Sequence, residues 1–160
     1  MRRIKFAIAS LTVLLVFFTS CSNSSISEEE TLFVTNKASE IEMQVLHLVN
    51  EYRLSKNLTA LEFNAIAYSH AATHTNTMIE DGEITHKDFD KRASNLAMEA
   101  DASHVAENLG RRYVSAEAVV EAWSKSPTHK KVMEGDYVFT AVSIKSDGEG
   151  VLYFTQLFFR

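Results

Sequence analysis

Val151-Leu152-Tyr153-Phe154-Thr155-Gln156-Leu157-Phe158-Phe159 closes the chain. A strand carries successive side chains to opposite faces. Tyr153, Leu157 and Phe159 therefore point one way, and Leu152, Phe154 and Phe158 the other. A strand that is apolar on both faces is covered on both faces. Helices are expected on each side of this sheet, which makes a three-layer α-β-α sandwich of the α+β class. Phe139 to Lys145 reads as the preceding strand, and Asp147-Gly148-Glu149-Gly150 has the chemistry of a hairpin turn. The central sheet is expected to be antiparallel.

Upstream the period changes to that of helices. Ile41, Val45, Leu48 and Tyr52 recur at spacings of four, three and four, which predicts a helix from about Ala38 to Ser55. Asn57 suits its left-handed stop. Asn64 is a candidate cap for a second helix to about Glu80, with Ala67, Ala71, His74 and Met78 inward and Asp81-Gly82 at its end. A shorter helix is expected over Phe89 to Met98. Ser115 caps another, whose apolar face is Ala116, Val119, Val120 and Trp123, and Ser126-Pro127 breaks it. Ala106 to Leu109, between those two helices, reads as a loop.

The N-terminus has a different character. Arg2, Arg3 and Lys5 precede an apolar run from Phe6 to Phe18, interrupted only by Ser10 and Thr12. That run is shorter than the ~20 residues of a spanning helix. A basic head, a short apolar stretch and small residues before Cys21 form a secretory signal over residues 1–20. The competing reading is a membrane anchor helix. Cys21 is the only cysteine, so no intramolecular disulfide is possible. Phe18-Thr19-Ser20-Cys21 resembles a bacterial lipobox, with Phe18 where leucine is commonest. The resemblance implies cleavage before Cys21, a lipid on its sulfur, and a place in the cell envelope, in the periplasm or on the cell surface. A plain signal peptide with a coincidental cysteine is the alternative. Residues 21–36 read as a flexible tether, and 37–160 as the folded domain.

Loss of residues 1–20 removes three basic residues and no acid, leaving 13 basic against 21 acidic residues, a net of −8. Such a surface repels phosphate backbones and argues against a nucleic-acid partner. No G-x-S-x-G, reactive cysteine or S-x-x-K supplies a nucleophile. His70 and His74 stand four apart, but Ala71 occupies the place of the glutamate in H-E-x-x-H, and His74 lies on the apolar stripe. A core histidine is the better reading. Asn50 and Arg53 are expected to tie the first helix to neighbouring loops.

Six short motifs then occur in order. Leu48 to Arg53 resembles L-x-N-x-x-R, and His74-Thr75-Asn76-Thr77-Met78 resembles H-S-x-D-M. Ile84-Thr85-His86 resembles F-S-H, and Ala106-Glu107-Asn108-Leu109 resembles G-E-N-I/L. Trp123 with Ser126-Pro127-Thr128-His129 resembles W-x-x-S-P-x-H, and Tyr153-Phe154-Thr155-Gln156 resembles Y-x-T-Q. From about Lys37 to Arg160 the chain resembles the CAP (SCP-like) superfamily in its cysteine-poor bacterial branch.

That resemblance implies a central cleft lined by two histidines and two glutamates, sometimes holding a divalent metal. By position, His86 and Glu107 match the first histidine and first glutamate. Ser126 stands where the second glutamate would be, and Tyr153 where the strand histidine would be. His129 is an added histidine near the same cleft. His86, Glu107 and His129 would be the metal set, suited to Zn2+ with an open position. Asn108, Ser126, Tyr153 and Gln156 would support the cleft. The structural alternative has the histidines bonding loop carbonyls and Glu107 accepting backbone N–H bonds. The function implied is a lipid-anchored extracytoplasmic binding module for a protein, lipid or small molecule. A metal-assisted hydrolase of the envelope, with Glu107 as base, and a lipid or sterol carrier are the alternatives.

Overall fold

The computed structural model describes residues 28–160, with side chains from Ser39 onward. The signal over 1–20 and the lipidation at Cys21 lie outside the described residues. The helices are α1 (Glu28–Ser55), α2 (Ala65–Asp81), α3 (Phe89–Ala100), α4 (Ala116–Lys125) and α5 (Pro127–Met133). The strands are β1 (Glu62–Phe63), β2 (Val105–Arg111), β3 (Phe139–Ser146) and β4 (Leu152–Phe159). The backbone of α1 begins at Glu28, upstream of the expected Ala38, so part of the expected tether is helical.

The four strands lie in the order β1-β3-β4-β2. β4 pairs antiparallel with both β3 and β2, while the two-residue β1 runs parallel to β3. The sheet is therefore antiparallel apart from that short strand. The β3–β4 hairpin forms where expected. Asp147 Oδ1 accepts the N–H groups of Glu149 and Val151, and Gly150 takes φ +79° to complete the turn. Turn carboxylates bonding their own backbone in this way replace ladder bonds that the reversal breaks.

Alternation along β4 builds the two halves of the core. Phe154 and Phe158 pack with Val142 and Ile144 against Ile41, Val45 and Val49 of α1 and Val119, Val120 and Trp123 of α4. Leu157 and Phe159 pack the other way, against Ala67 and Ala71 of α2 and Leu96 of α3. Phe154, Leu157, Phe158 and Phe159 are all at most 1% exposed. The Phe-rich strand is thus interior packing, and offers no groove to a lipid. Helix ends follow their expected chemistry. Asn64 and Ser115 accept the N–H groups of Ala67 and Ala118, and Gly82 ends α2 in the left-handed region.

One buried cation fastens the first layer. Arg53 is 1% exposed. Its Nε donates to Thr59 O (2.9 Å), Nη1 to Met133 O (2.8 Å) and Gly135 O (2.9 Å), and Nη2 to Tyr137 O (3.4 Å). The end of α1 is thereby joined to the end of α5 and the entry of β3. Asn50 exchanges two bonds with the Leu61 backbone beside it. Truncating Arg53 leaves several buried carbonyls without donors, each costing about 1–3 kcal/mol. Arg53→Ala is therefore expected to lower unfolding stability by roughly 3 kcal/mol or more in urea titration. A loss below about 1 kcal/mol would show that water replaces the clamp at little cost.

Candidate functional site

Glu107 lies in β2 and not in a loop, which corrects the expectation for Ala106 to Leu109. The segment carries Glu and Asn with no run of β-branched residues, so local propensity hides the strand. Strand geometry decides what the pair Glu107-Asn108 can reach, because neighbours face opposite sides. Glu107 looks toward α2 and α3. Asn108 looks toward α4 and α5, where its Nδ2 donates to His129 O at 3.1 Å.

The Glu107 side chain is 1% exposed. Both its oxygens are engaged by one guanidinium. Arg92 Nε donates to Oε2 (2.9 Å) and Nη2 to Oε1 (2.8 Å), a bidentate pair. Arg92 Nη1 donates to Lys87 O at 2.7 Å, which fixes the fork to the loop before α3. His86, from that loop, donates from Nδ1 to Glu107 Oε1 at 2.8 Å, with its side chain 59% exposed. The His74 ring is almost fully buried. It lies 2.8 Å from Thr85 O and 4.0 Å from Glu107 Oε1 through Nε2. A carbonyl only accepts, so Nε2 carries the proton and His74 is the satisfied core histidine that its stripe position predicts.

Arg92 is the residue that sequence reasoning missed. Its signal was present: Arg92 and Leu96 stand four apart and form the buried stripe of α3. A charge at such a position demands a buried partner of opposite sign.

The other expected cleft residues make no hydrogen bond to Glu107 among the described residues. His129, on α5, stands with its ring 6.5 Å from that of Trp123. Burial pushes its pKa down, and the His86 charge does so further. Among the described residues no hydrogen bond or ion pair joins the His129 ring to His86 or Glu107. Tyr153 is core, packed with Met78 and Leu109 beneath the Arg111 guanidinium (4.8 Å to the ring centre). Ser126 links α4 to α5 through its backbone, its N–H reaching Ala122 O and its carbonyl accepting Lys130 N–H. Gln156 pairs with Asn108 across the ladder and donates to Thr140 Oγ1. The Asn108 Oδ1 and Gln156 Oε1 oxygens are buried with no donor. His70 bonds Glu99 at 3.0 Å, apart from His74.

The zinc set expected from His86, Glu107 and His129 does not fit this arrangement. Glu107 accepts three hydrogen bonds from Arg92 and His86, and among the described residues no group of three or more His, Cys, Asp or Glu could hold a metal ion.

The family model described as the Cysteine-rich secretory protein family (CAP) matches residues 46–158. The chain belongs to the CAP family. No curated protein matches it in sequence. In fold it is similar to an outer surface protein from Borrelia burgdorferi, at TM-score 0.68 and 22% identity over 79% of this chain and 94% of that one. It is similar to an extracellular protein containing a SCP domain from Bacillus anthracis, at TM-score 0.70 and 17% identity over 85% of this chain and 44% of that one. A cysteine-rich secretory protein from Staphylococcus aureus gives TM-score 0.66 and 16% identity over 77% of this chain and 39% of that one. This CAP chain thus spans nearly all of the first and less than half of the other two.

The buried ion pair and the buried histidine beside it each have an expected outcome. Removing one partner of a buried ion pair costs about 3–5 kcal/mol, whereas an apolar pair of similar volume is often neutral. Arg92→Met is expected to fall in that range by urea unfolding, and Arg92→Met with Glu107→Leu to recover most of the loss. The second concerns acid. Burial pushes the His74 pKa below the free value of 6.5, against the opposing pull of Glu107. The unfolded chain then binds the proton first, so stability falls as pH drops below about 6.5. His74→Gln should flatten the difference in stability between pH 7.5 and 5.5; an unchanged slope would assign it to other groups.

Proposed function

We propose that this CAP domain is a lipid-anchored binding module that works outside the cytoplasmic membrane without turnover. The observation that carries the reading is the bidentate grip of Arg92 on Glu107. A general base needs a lone pair free to take a proton, and a metal ligand needs one free for the ion. Arg92 and His86 already fill three of the roughly four lone-pair sites of Glu107, whose side chain is 1% exposed, so it is poorly placed for either task, and it is the one carboxylate matched to the family's cleft. What the cleft presents instead is the exposed His86 ring. With Nδ1 tied to Glu107, its Nε2 is left to accept or donate a bond to a ligand.

Two proteins of similar fold, one an outer surface protein and the other extracellular, support a place outside the cytoplasm. So does the leader pattern before Cys21. A diacylglyceryl group on the Cys21 sulfur carries two acyl chains, the two anchors that stable membrane attachment requires.

Growth with an alkyne-tagged fatty acid tests the anchor. The wild-type chain is expected to take up label in the membrane fraction, and Cys21→Ala to take up none. An unlabelled chain in the cytosol would end that part of the proposal. Purified mature protein tests the rest, with peptidoglycan and unfolded casein as substrates, with and without added zinc. Turnover abolished by Glu107→Gln would replace the binding module by an enzyme.

A further inference from the structure

The opposite edge of the sheet carries a second carboxylate in a different electrical situation. β1 pairs only with Phe139 and Thr140, while β3 runs on to Ser146. Glu62 N–H donates to Val138 O and Asn64 N–H to Thr140 O, so the even-numbered residues of β3 direct their backbone groups outward. Past the end of β1, Glu42 of α1 reaches this edge and accepts Ile144 N–H at 2.7 Å. Tyr68, on α2 across the sheet, donates its hydroxyl to the same carboxylate at 3.3 Å.

Around Glu42 a notch of 280 Å³ is lined by Ser39, Met43, Leu46, Phe63, Tyr68 and Val142. Its rim is apolar and faces water: Met43 is 64% and Phe63 56% exposed. The Phe63 and Tyr68 rings stand 6.0 Å apart at 51°, an open corner with two π faces. Burial raises the Glu42 pKa, with the Ile144 and Tyr68 bonds and the more distant Lys145 opposing. The Lys145 ammonium is itself committed to Asn76 Oδ1 at 2.8 Å. Among the described residues no Lys, Arg or His forms an ion pair with Glu42. The Ile144 amide and the Tyr68 hydroxyl thus reach a half-buried carboxylate that has no ion pair among the described residues, beside exposed aromatic and thioether groups.

We propose that this notch binds a small amphiphilic amine, with Glu42 as its counter-ion and Phe63, Tyr68, Met43 and Leu46 as the wall for its aryl or alkyl arm. An ammonium group supplies the direct ion-pair partner that Glu42 lacks among the described residues, and an aromatic face adds cation–π attraction. Methionine adapts to the shape of the arm. The size of the notch sets the ligand at about one ring with a short chain. Glu42 lies across the outward N–H of Ile144, so it also obstructs the addition of a peptide strand at this edge. A free small molecule is therefore the occupant, and not an extended segment of a partner. The site shares no residue with the cleft, so its failure would leave the proposed function untouched.

The experiment is a titration of the mature chain with phenethylamine, 2-phenylethanol and 3-phenylpropionate, followed by NMR of 13C-labelled methionine methyls. Saturable movement of the Met43 signal is expected with phenethylamine. The neutral alcohol should bind at least about tenfold more weakly, the value of one charge-assisted bond, and the acid not measurably. Glu42→Gln, which keeps an oxygen for Ile144 N–H, should weaken phenethylamine by about the same factor. Phe63→Ser changes an exposed side chain and should weaken it without unfolding the domain. Val114→Ser, at an exposed position that lines neither site, should leave it unchanged. Non-saturable shifts, equal affinity for the alcohol, or full affinity in both Glu42→Gln and Phe63→Ser would overturn the proposal.

Discussion

A carboxylate with its side chain 1% exposed is the constraint around which one half of this domain is arranged. Withdrawing an ionised carboxylate from water costs several kcal/mol even after relaxation, and only close partners with good geometry return it. Glu107 has those partners because three segments converge on it. β2 sets its direction, α3 brings the Arg92 fork, and the loop between α2 and α3 brings His86. The same fork holds Lys87 O, so the loop's path and the ion pair depend on each other. This explains why α3, a short helix, keeps a fixed place: Leu96 seats it in the core while Arg92 locks its rotation.

The layers were legible because their signal is periodic and repeated. β4 alone implied helices on both faces, and the stripes of α1 and α2 supplied them. Ile41 and Val45 of α1 are buried as expected, though Val49 fills the third place where Leu48 stood in the pattern. Leu48 and Val49 lie about 100° apart around the helix, but at three and four positions beyond Val45 they flank it and border one face. Caps and stops at Asn64, Gly82 and Ser115 were legible because each acts within a few residues of itself. β2 was not, since a seven-residue strand bearing Glu, Asn and Gly owes its existence to β4 beside it.

The site was legible in part for the same reason. Motif order brought His86 and Glu107 together correctly, and they are bonded. It said nothing of Arg92, which belongs to none of the quoted motifs, and Arg92 decides what Glu107 can do. His129 follows its motif in sequence yet is held by α5, whose place depends on the Arg53 clamp and on Asn108. A triad of sequence-distant side chains is a statement about three independent positions. Motifs fix which residues are present, while packing fixes which of them meet.

The two outer edges of the sheet make the comparison concrete. Each is met by a glutamate that links elements from different layers: Glu107 on β2, and Glu42 beside β3. A charged side chain at an edge discourages pairing with another sheet, and that protective role alone would account for both. Their surroundings differ, however. Glu107 is nearly sealed and receives a guanidinium from its own chain, so its charge is cancelled internally and its contribution is to stability. Glu42 is half open, receives only an amide and a phenol, and stands among side chains that water does not favour. A domain that had only to guard its edge would gain by closing the second site as it closed the first. A carboxylate with no ion pair among the described residues, beside exposed Phe63 and Met43, is a place where an external cation with an apolar arm would add stability.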